Sequence, residues 1–192
     1  DAIITLTSQP TSTTQSLCIN TILTSITYTI TGGGTSAVFS GLPAGVSGTI
    51  AGNVATISGT PTVSGPFNFT VTTTGSCSQT VASGNINVSP VTNAGILTPA
   101  IGVGCVGTAS GRITLSGANG AIIRWEYSTN AGNAWTELPN TAAKTTFDYT
   151  NLSTTTIYRA VVQSGNCGMA YSKVAIVVVD PPYTPVIVAN PP

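Results

Sequence analysis

The four cysteines are the residues whose type and spacing favour a definite chemistry. Cys18 precedes Cys77 by 59 residues and Cys105 precedes Cys167 by 62, and the two pairs are offset by 87 to 90 residues. This near-repeat predicts two disulfides, Cys18 with Cys77 and Cys105 with Cys167, although four cysteines allow three connectivities. Disulfides persist in oxidising compartments, so the pattern indicates a protein that works outside the cytoplasm.

The same cysteines could instead be buried free thiols or metal ligands. A zinc site needs closely spaced cysteine pairs or histidine, and the sequence contains no histidine. The absence of histidine also excludes Ser-His-Asp and Cys-His catalysis. No glycine-rich phosphate loop and no aspartate-rich calcium loop occurs in the sequence. We therefore expect no catalytic residue, no metal, no cofactor and no enzymatic activity.

Two carboxylates and a tryptophan in the second half are the remaining candidates for a site. A turn near residues 131–132 would place Glu126 and Glu137 across a hairpin. Such a carboxylate pair could act on a glycoside, or the two could be solvated side chains beside Arg124. Trp135, with Arg124 and Glu126, could form a sugar-stacking surface, or its ring could belong to a sandwich core.

The charge pattern separates two halves of the chain. Charged residues make up 5% of the sequence, the net charge is zero, and no charged residue lies between Ala2 and Gly111. A half without lysine cannot form a Lys-Asn isopeptide bond, whereas Lys144 or Lys173 could form one. Without a basic cluster we expect no nucleic-acid binding, and without an apolar run of 18 residues no membrane insertion. The chain opens at Asp1 in what already reads as a strand, so we expect a piece cut from a longer protein.

Alternating apolar and polar residues predict strands in both halves, because a strand with one buried and one wet face has a period of two. The residues expected to face a core are Ile26, Tyr28, Ile30, Phe67, Phe69, Val71, Ile123, Trp125 and Tyr127. Short strands between glycine- and proline-rich turns are typical of an all-β sandwich or barrel. We expect Trp125 and Tyr158 in the core of the second half.

Three segments of the first half carry a family resemblance. Residues 41–46 read Gly-Leu-Pro-Ala-Gly-Val, residues 57–61 read Ile-Ser-Gly-Thr-Pro, and residues 65–71 read Gly-Pro-Phe-Asn-Phe-Thr-Val. The order of these two turns and one strand resembles immunoglobulin-like repeats of bacterial surface proteins. The resemblance covers about residues 20 to 75 and implies an immunoglobulin-like sandwich.

The second half carries two further resemblances. Leu152, six residues before Tyr158, is similar to the tyrosine corner of immunoglobulin and fibronectin type III domains. Cys167 lies well beyond that tyrosine, so its disulfide is expected to tie a loop or a strand end rather than the two sheets. Residues 124–135 and 158–167 resemble repeats of the giant SprB-type surface adhesins of gliding Bacteroidetes. That resemblance implies a long filament exported through the outer membrane.

Together these patterns predict two tandem immunoglobulin/fibronectin-III-like β-sandwich domains, at residues 1–90 and 91–180, with residues 181–192 as a linker or the first strand of a third repeat. The predicted function is structural: spacer and display repeats of a cell-surface adhesin, in bacterial surface adhesion or gliding motility. The expected partners are neighbouring repeats of the same chain and an extracellular polysaccharide or surface. The alternatives are a carbohydrate-binding module in the second half and accessory domains of a secreted enzyme.

Overall fold

The computed structural model describes residues 1–181, and within them the chain divides into two compact units. The first unit contains Asp1–Val91 together with Ser164–Gly168, which we name the Cys167 loop. The second unit contains Thr92–Gln163 and the described residues from Met169 onward. The domain limits 1–90 and 91–180 stay predictions. The linker or strand predicted at 181–192 lies outside the described residues, apart from Pro181.

The first unit is built from two four-stranded sheets. Its strands are β1 (Ala2–Leu6), β2 (Thr14–Cys18), β3 (Ile26–Gly32), β4 (Ser36–Ser40), β5 (Val46–Ala51), β6 (Val54–Gly59), β7 (Gly65–Thr74) and β8 (Val81–Ser89). One sheet has the order β1-β3-β6-β5 and the other has the order β2-β8-β7-β4. A short 3-10 helix, Pro10–Thr13, carries the chain from the first sheet to the second, where β2 runs parallel to β8.

The core of the first unit follows the alternation read from the sequence. In β3 the side chains of Ile26, Tyr28 and Ile30 are buried, while the threonines between them are only half-buried. Phe69 and Val71 of β7 are fully buried against them. Since each sheet turns one apolar face inwards, the polar positions on the other faces are mostly threonine, serine and asparagine, which hydrate without carrying charge.

The second unit repeats this plan with a larger and a smaller sheet. Its strands are β9 (Ile96–Thr98), β10 (Ile101–Cys105), β11 (Ala109–Ser116), β12 (Ala121–Ser128), β13 (Thr136–Leu138), β14 (Thr146–Leu152), β15 (Thr156–Gln163), β16 (Met169–Tyr171) and β17 (Ala175–Asp180). One sheet has the order β10-β17-β15-β12-β13, with β16 also paired to β15, and the other has the order β14-β11-β9. The strand β10 runs parallel to β17, as β2 runs parallel to β8.

An aromatic cluster fills the core of the second unit. Trp125 is fully buried, and its indole N–H donates to the carbonyl oxygen of Lys144 at 2.8 Å. The ring of Phe147 lies beside it, with centroids 5.9 Å apart, and the ring of Tyr158 lies beside Phe147, with centroids 5.4 Å apart. The core positions expected for Trp125 and Tyr158 are therefore confirmed.

One position of β12 differs from the predicted alternation. The ladder between β12 and β15 shifts register between Ile122 and Arg124, as it does at a β-bulge. The extra residue puts Ile122, rather than Ile123, against the core that holds Trp125 and Tyr127. Expecting Ile123 in the core was wrong, because a sequence pattern with a strict period of two cannot show where one residue is inserted.

Candidate functional site

A single disulfide joins residues that are distant in the sequence. Cys18, at the end of β2, is bonded to Cys167, with a Cα–Cα distance of 4.7 Å and a sequence separation of 149 residues. Cys77 and Cys105 are free and exposed. The predicted pairs Cys18–Cys77 and Cys105–Cys167 are therefore wrong. The disulfide of Cys167 was expected to tie a loop or a strand end, and it does join a loop to the end of a strand, but its partner is Cys18.

The length of β8 explains why Cys18 does not reach Cys77. Cys18 lies opposite Ser89, the last residue of β8, whereas Cys77 lies in the loop that precedes Val81, the first residue of β8. Eight residue steps along a strand span about 26 Å. A disulfide needs Cα atoms within about 7 Å, so these two cysteines lie at opposite ends of the sheet and cannot bond.

The Cys167 loop is held in place by backbone geometry as well as by the disulfide. The side-chain amide of Asn166 donates to the carbonyl oxygen of Ser16 at 2.8 Å, and the Cys167 N–H donates to the carbonyl oxygen of Ser164 at 2.8 Å. Gly165 has a φ of +46°, and a Cβ added to it would collide with the hydroxyl oxygen of Ser89. The sequence Gly-Asn-Cys therefore suits a tight loop that presents a buried cysteine to the end of β2.

A charged cluster lies on the face of the second unit's larger sheet opposite its core. Glu126 is buried, and its Oε1 accepts a hydrogen bond from Arg124 Nε at 2.7 Å. Its Oε2 accepts one from Arg159 Nε at 2.7 Å. Arg159 lies directly opposite Glu126 in the β12–β15 ladder, so the two side chains share one face of the sheet. We name Arg124, Glu126 and Arg159, together with Trp135 and Tyr171, the outer cluster.

Two aromatic rings complete the outer cluster by stacking on Arg159. Its guanidinium carbon lies 3.9 Å from the ring centroid of Trp135 and 4.0 Å from that of Tyr171. A guanidinium over an aromatic face is stabilised by the ring quadrupole, more strongly where water is partly excluded. The structure thus brings the three predicted contact residues, Trp135, Arg124 and Glu126, onto one face and adds Arg159 and Tyr171 to them.

The two carboxylates considered as a catalytic pair do lie opposite each other. Glu126 of β12 and Glu137 of β13 are register partners. Arg124 contacts both of them, since its Nε lies 3.6 Å from Glu137 Oε2. Both oxygens of Glu126 are already engaged by guanidinium groups, so the arrangement acts as an ion network rather than as a free acid–base pair.

The second unit has two other surface features, an ion pair and a cleft. Arg112 and Asp148 form a two-point ion pair, and the hydrogen bond from Arg112 lowers the pKa of the Asp148 carboxyl. Both side chains are more than half exposed, so this pair contributes little to stability. An open cleft of about 330 Å³ is lined partly by Tyr127 and Tyr158.

No metal-binding cluster of three or more cysteine, aspartate or glutamate side chains is found within residues 1–181. In the same range there is no helix long and apolar enough to cross a membrane.

Comparisons with known proteins support the fold. A family described as a domain of unknown function, DUF8696, matches residues 93–181. No curated protein sequence matches the chain. Among solved structures, the I-band fragment I67-I69 from titin is similar, with a TM-score of 0.64 and 13% identity, over 93% of this chain and 66% of that one. The N-terminal eight Ig domains of the Down syndrome cell adhesion molecule, isoform 1.30.30, give a TM-score of 0.64 and 11% identity, over 93% of this chain and 25% of that one.

At these identities the similarity concerns the fold alone. The chain spans about two thirds of the titin fragment and a quarter of the adhesion-molecule fragment, so the activities of those proteins are not carried over. The chain is a tandem pair of immunoglobulin-like β-sandwich domains, as the sequence predicted.

Proposed function

We propose that this chain is a pair of structural spacer and display repeats from a long extracellular adhesin. Immunoglobulin-like domains in tandem are typical of structural and adhesion proteins. The disulfide between Cys18 and Cys167 suits an oxidising compartment. The hydroxyl-rich first unit, in which Asp1 is the one charged side chain, suits a repetitive filament whose surface does not attract charged partners.

The observation that carries the proposal is the sequence separation closed by the disulfide. When the chain is pulled from its two ends, force is transmitted from Cys18 to Cys167 through the disulfide. The segment between these two cysteines, whose sequence separation is 149, is then not stretched by that force. Most of both sandwiches is therefore shielded from extension while the bond is intact. A spacer that must transmit force without lengthening benefits from such a bypass, whereas a simple binding module has no need of it.

We further propose that these repeats belong to a protein on the surface of a gliding bacterium. It is supported by the likeness of residues 124–135 and 158–167 to SprB-type adhesin repeats. In that setting the repeats hold a terminal adhesive region away from an outer membrane to which the full-length protein is attached. Antibodies raised against this chain should label intact cells of the source organism as strongly as permeabilised ones, and labelling only after permeabilisation would contradict a surface location.

The mechanical proposal can be tested by pulling single molecules in optical tweezers. Handles are attached through enzymatic peptide tags at both termini, so that Cys77 and Cys105 are not used. With the disulfide intact we expect a fully extended length of about 150 Å, since only residues outside the bridged segment can unravel. Addition of a reductant should release about 520 Å more.

Two matched variants distinguish loss of the disulfide from any other effect of the reductant. Cys18→Ser should show the full extension without reductant, whereas Cys77→Ser should behave like the unmodified chain. An oxidised chain that extends fully under low force would contradict a role of the disulfide in transmitting force.

A second candidate function is recognition of a surface polysaccharide by the outer cluster. The observation in its favour is that Trp135 and the half-exposed Tyr171 lie close together on either side of Arg159, and aromatic rings beside polar groups are common in sugar sites. A glycan array with the whole chain and with Trp135→Ala tests it. Saturable binding that this substitution abolishes would make the second unit a binding module.

A further inference from the structure

The two free cysteines occupy the same positions in the repeat as the two bonded ones. Cys18 ends β2 and lies opposite Ser89, the last residue of β8, in a parallel pair. Cys105 ends β10 and lies opposite Asp180, the last residue of β17, also in a parallel pair. Each cysteine therefore lies beside the point where the chain leaves its sandwich.

The backbone hydrogen bonds around these cysteines also correspond. The residue after each cysteine donates to the residue opposite it: Ile19 N–H to the Ser89 carbonyl at 2.9 Å, and Val106 N–H to the Asp180 carbonyl at 3.2 Å. The same i to i+3 turn follows both cysteines, with Thr21 N–H to Cys18 O and Thr108 N–H to Cys105 O, each at 3.1 Å. Cys105 thus has the backbone setting in which Cys18 forms its disulfide.

Cys77 corresponds in the same way to Cys167. Cys77 follows β7 in the sequence Gly75-Ser-Cys, and Cys167 follows β15 in the sequence Gly165-Asn-Cys. Both glycines have positive φ, +88° and +46°. The loop that carries Cys77 lies beside the start of its sandwich, because the Ala2 N–H donates to the Ser78 carbonyl at 3.1 Å.

We propose that Cys105 and Cys77 form disulfides with the neighbouring repeats, so that a series of such bonds runs along a tandem array. Cys105 bonds to the cysteine at the Cys77 position of the following repeat, as Cys18 bonds to Cys167 here. Cys77 bonds to the cysteine at the Cys18 position of the preceding repeat. The partner in both cases is another repeat of this kind in the same polypeptide. This inference rests on the proposed function as repeats of a longer array.

The bond-forming step is an ordinary thiol–disulfide exchange. The thiolate of one cysteine attacks a protein or small-molecule disulfide, which acts as the oxidant, and gives a mixed disulfide and one thiolate. The second cysteine then displaces the oxidant's remaining sulfur. The two protein thiols lose two protons and two electrons, and the oxidant is reduced to two thiols. Both cysteines are exposed, as this exchange requires.

The chain itself supplies a junction on which to test the proposal. In the sequence, Ser-Pro-Val-Thr at residues 89–92 leads into Asn93 and Ala94, and Asp-Pro-Pro-Tyr at residues 180–183 occupies the corresponding place after β17. Asp1 and Ala2 match Asn93 and Ala94, and both alanines are buried. Residues 1–183 fused directly to a complete second copy therefore reproduce the natural spacing between repeats.

In this tandem fusion, Cys77→Ser in the first copy and Cys105→Ser in the second leave one candidate pair: Cys105 of the first copy and Cys77 of the second. The protein is oxidised with glutathione disulfide, alkylated, and digested with pepsin at low pH, which suppresses exchange. Trypsin is unsuitable because no lysine or arginine precedes Arg112. We expect a peptide that joins Cys105 to Cys77, and no alkylated thiol in the folded fusion. A fusion that also lacks Cys105 of the first copy should show one alkylated thiol, at Cys77.

Each outcome bears on a different statement. If the Cys18–Cys167 peptides form in both copies while Cys105 and Cys77 remain alkylated, the series is refuted and the proposed spacer function stands. Cross-linked dimers on a non-reducing gel would also refute it, because the bond would then join separate chains. If the Cys18–Cys167 peptides are themselves missing, the proposed function loses its main support.

Discussion

The guanidinium of Arg159 stacks on the ring of Trp135, with its central carbon 3.9 Å from the ring centroid. The same guanidinium donates to Glu126, so the aromatic contact and the ion pair hold one side chain from two directions. Arg159 is thereby fixed on the outer face of β15. The outer cluster thus packs charged and aromatic side chains together on the face of the sheet that does not meet the apolar core.

Removing the charge of Glu126 should destabilise the protein. Glu126→Gln keeps the size of the side chain but leaves Arg124 and Arg159 close together without a carboxylate between them. We expect the free energy of unfolding to fall by about 2 kcal/mol, below the range for fully buried pairs because both arginines remain partly exposed. Urea unfolding followed by tryptophan fluorescence measures this loss.

Glu137→Gln is the matched control for that substitution. Glu137 contacts Arg124 only at 3.6 Å and is mostly exposed. Its removal should change the free energy of unfolding by less than about 0.5 kcal/mol. Equal effects of the two substitutions would show that the network around Glu126 is no stronger than a surface pair.

The sequence predicted which side chains share a face but not which ends of the strands meet. Alternation put Trp125 in the core and Arg124 and Glu126 on the opposite face, since both follow from a period of two. Arg159 was missed because it is 33 residues from Glu126 and meets it only through the β12–β15 register. The observation that β12 and β15 flank the same predicted core could have suggested this pairing.

The cysteine pairing was mispredicted for a related reason. Similar spacing in two repeats shows that Cys18 corresponds to Cys105 and Cys77 to Cys167. It does not show which of these cysteines lie close enough in the fold to bond. A strand of nine residues separates the loop of Cys77 from the residue opposite Cys18. That length separates the two cysteines because Cys18 lies opposite Ser89, a register that the sequence alone does not show.

The hydroxyl of Tyr28 is expected to cost stability. It is buried, and it has no hydrogen-bond partner among the described residues. An unsatisfied buried polar group loses its hydration without compensation. Tyr28→Phe should therefore raise the free energy of unfolding by up to about 1 kcal/mol, measured in urea. Tyr171→Phe, which alters a half-exposed ring, should have almost no effect, and a loss of stability in Tyr28→Phe would show that the hydroxyl is satisfied in solution.

Stability should fall at alkaline pH. Burial raises the pKa of Tyr158 from 10.0 to about 12, and burial also raises that of Tyr28. The folded state therefore holds these phenolic protons more tightly than the unfolded state, so the contribution is complete below pH 10 and is lost as the pH rises towards 12. We expect the urea midpoint to decline between these two values.

Two variants make the alkaline experiment specific. Tyr158→Phe should flatten the decline of the midpoint, because it removes the group with the large shift. All samples carry Cys77→Ser and Cys105→Ser, since free thiolates would exchange with the disulfide at high pH. A decline of the same slope with and without Tyr158 would assign the effect to other groups.

The two sandwiches should fold separately when the chain is cut between Val91 and Thr92. The apolar core of each unit is formed within residues 4–88 and 94–177 respectively, and neither core includes the Cys167 loop. Each half should unfold in urea in one cooperative transition, followed by tyrosine emission in the first half and by tryptophan emission in the second. If neither half folds alone, the predicted domain limits 1–90 and 91–180 are wrong.

Gly165 should be needed for the Cys167 loop to reach Cys18. Its φ of +46° strains any residue with a side chain, and a Cβ would collide with Ser89 Oγ. Gly165→Ala should therefore destabilise the bonded form by about 1–3 kcal/mol, which appears as a larger fraction of alkylated Cys18 in a glutathione redox buffer. Gly168→Ala, in the same loop, places its Cβ where no atom lies within 4 Å, and should leave that fraction unchanged. If both substitutions weaken the disulfide equally, the loop tolerates no added methyl group, and the geometry of Gly165 does not explain the loss. If neither substitution weakens the disulfide, the loop adapts, and φ at Gly165 does not limit formation of the bond.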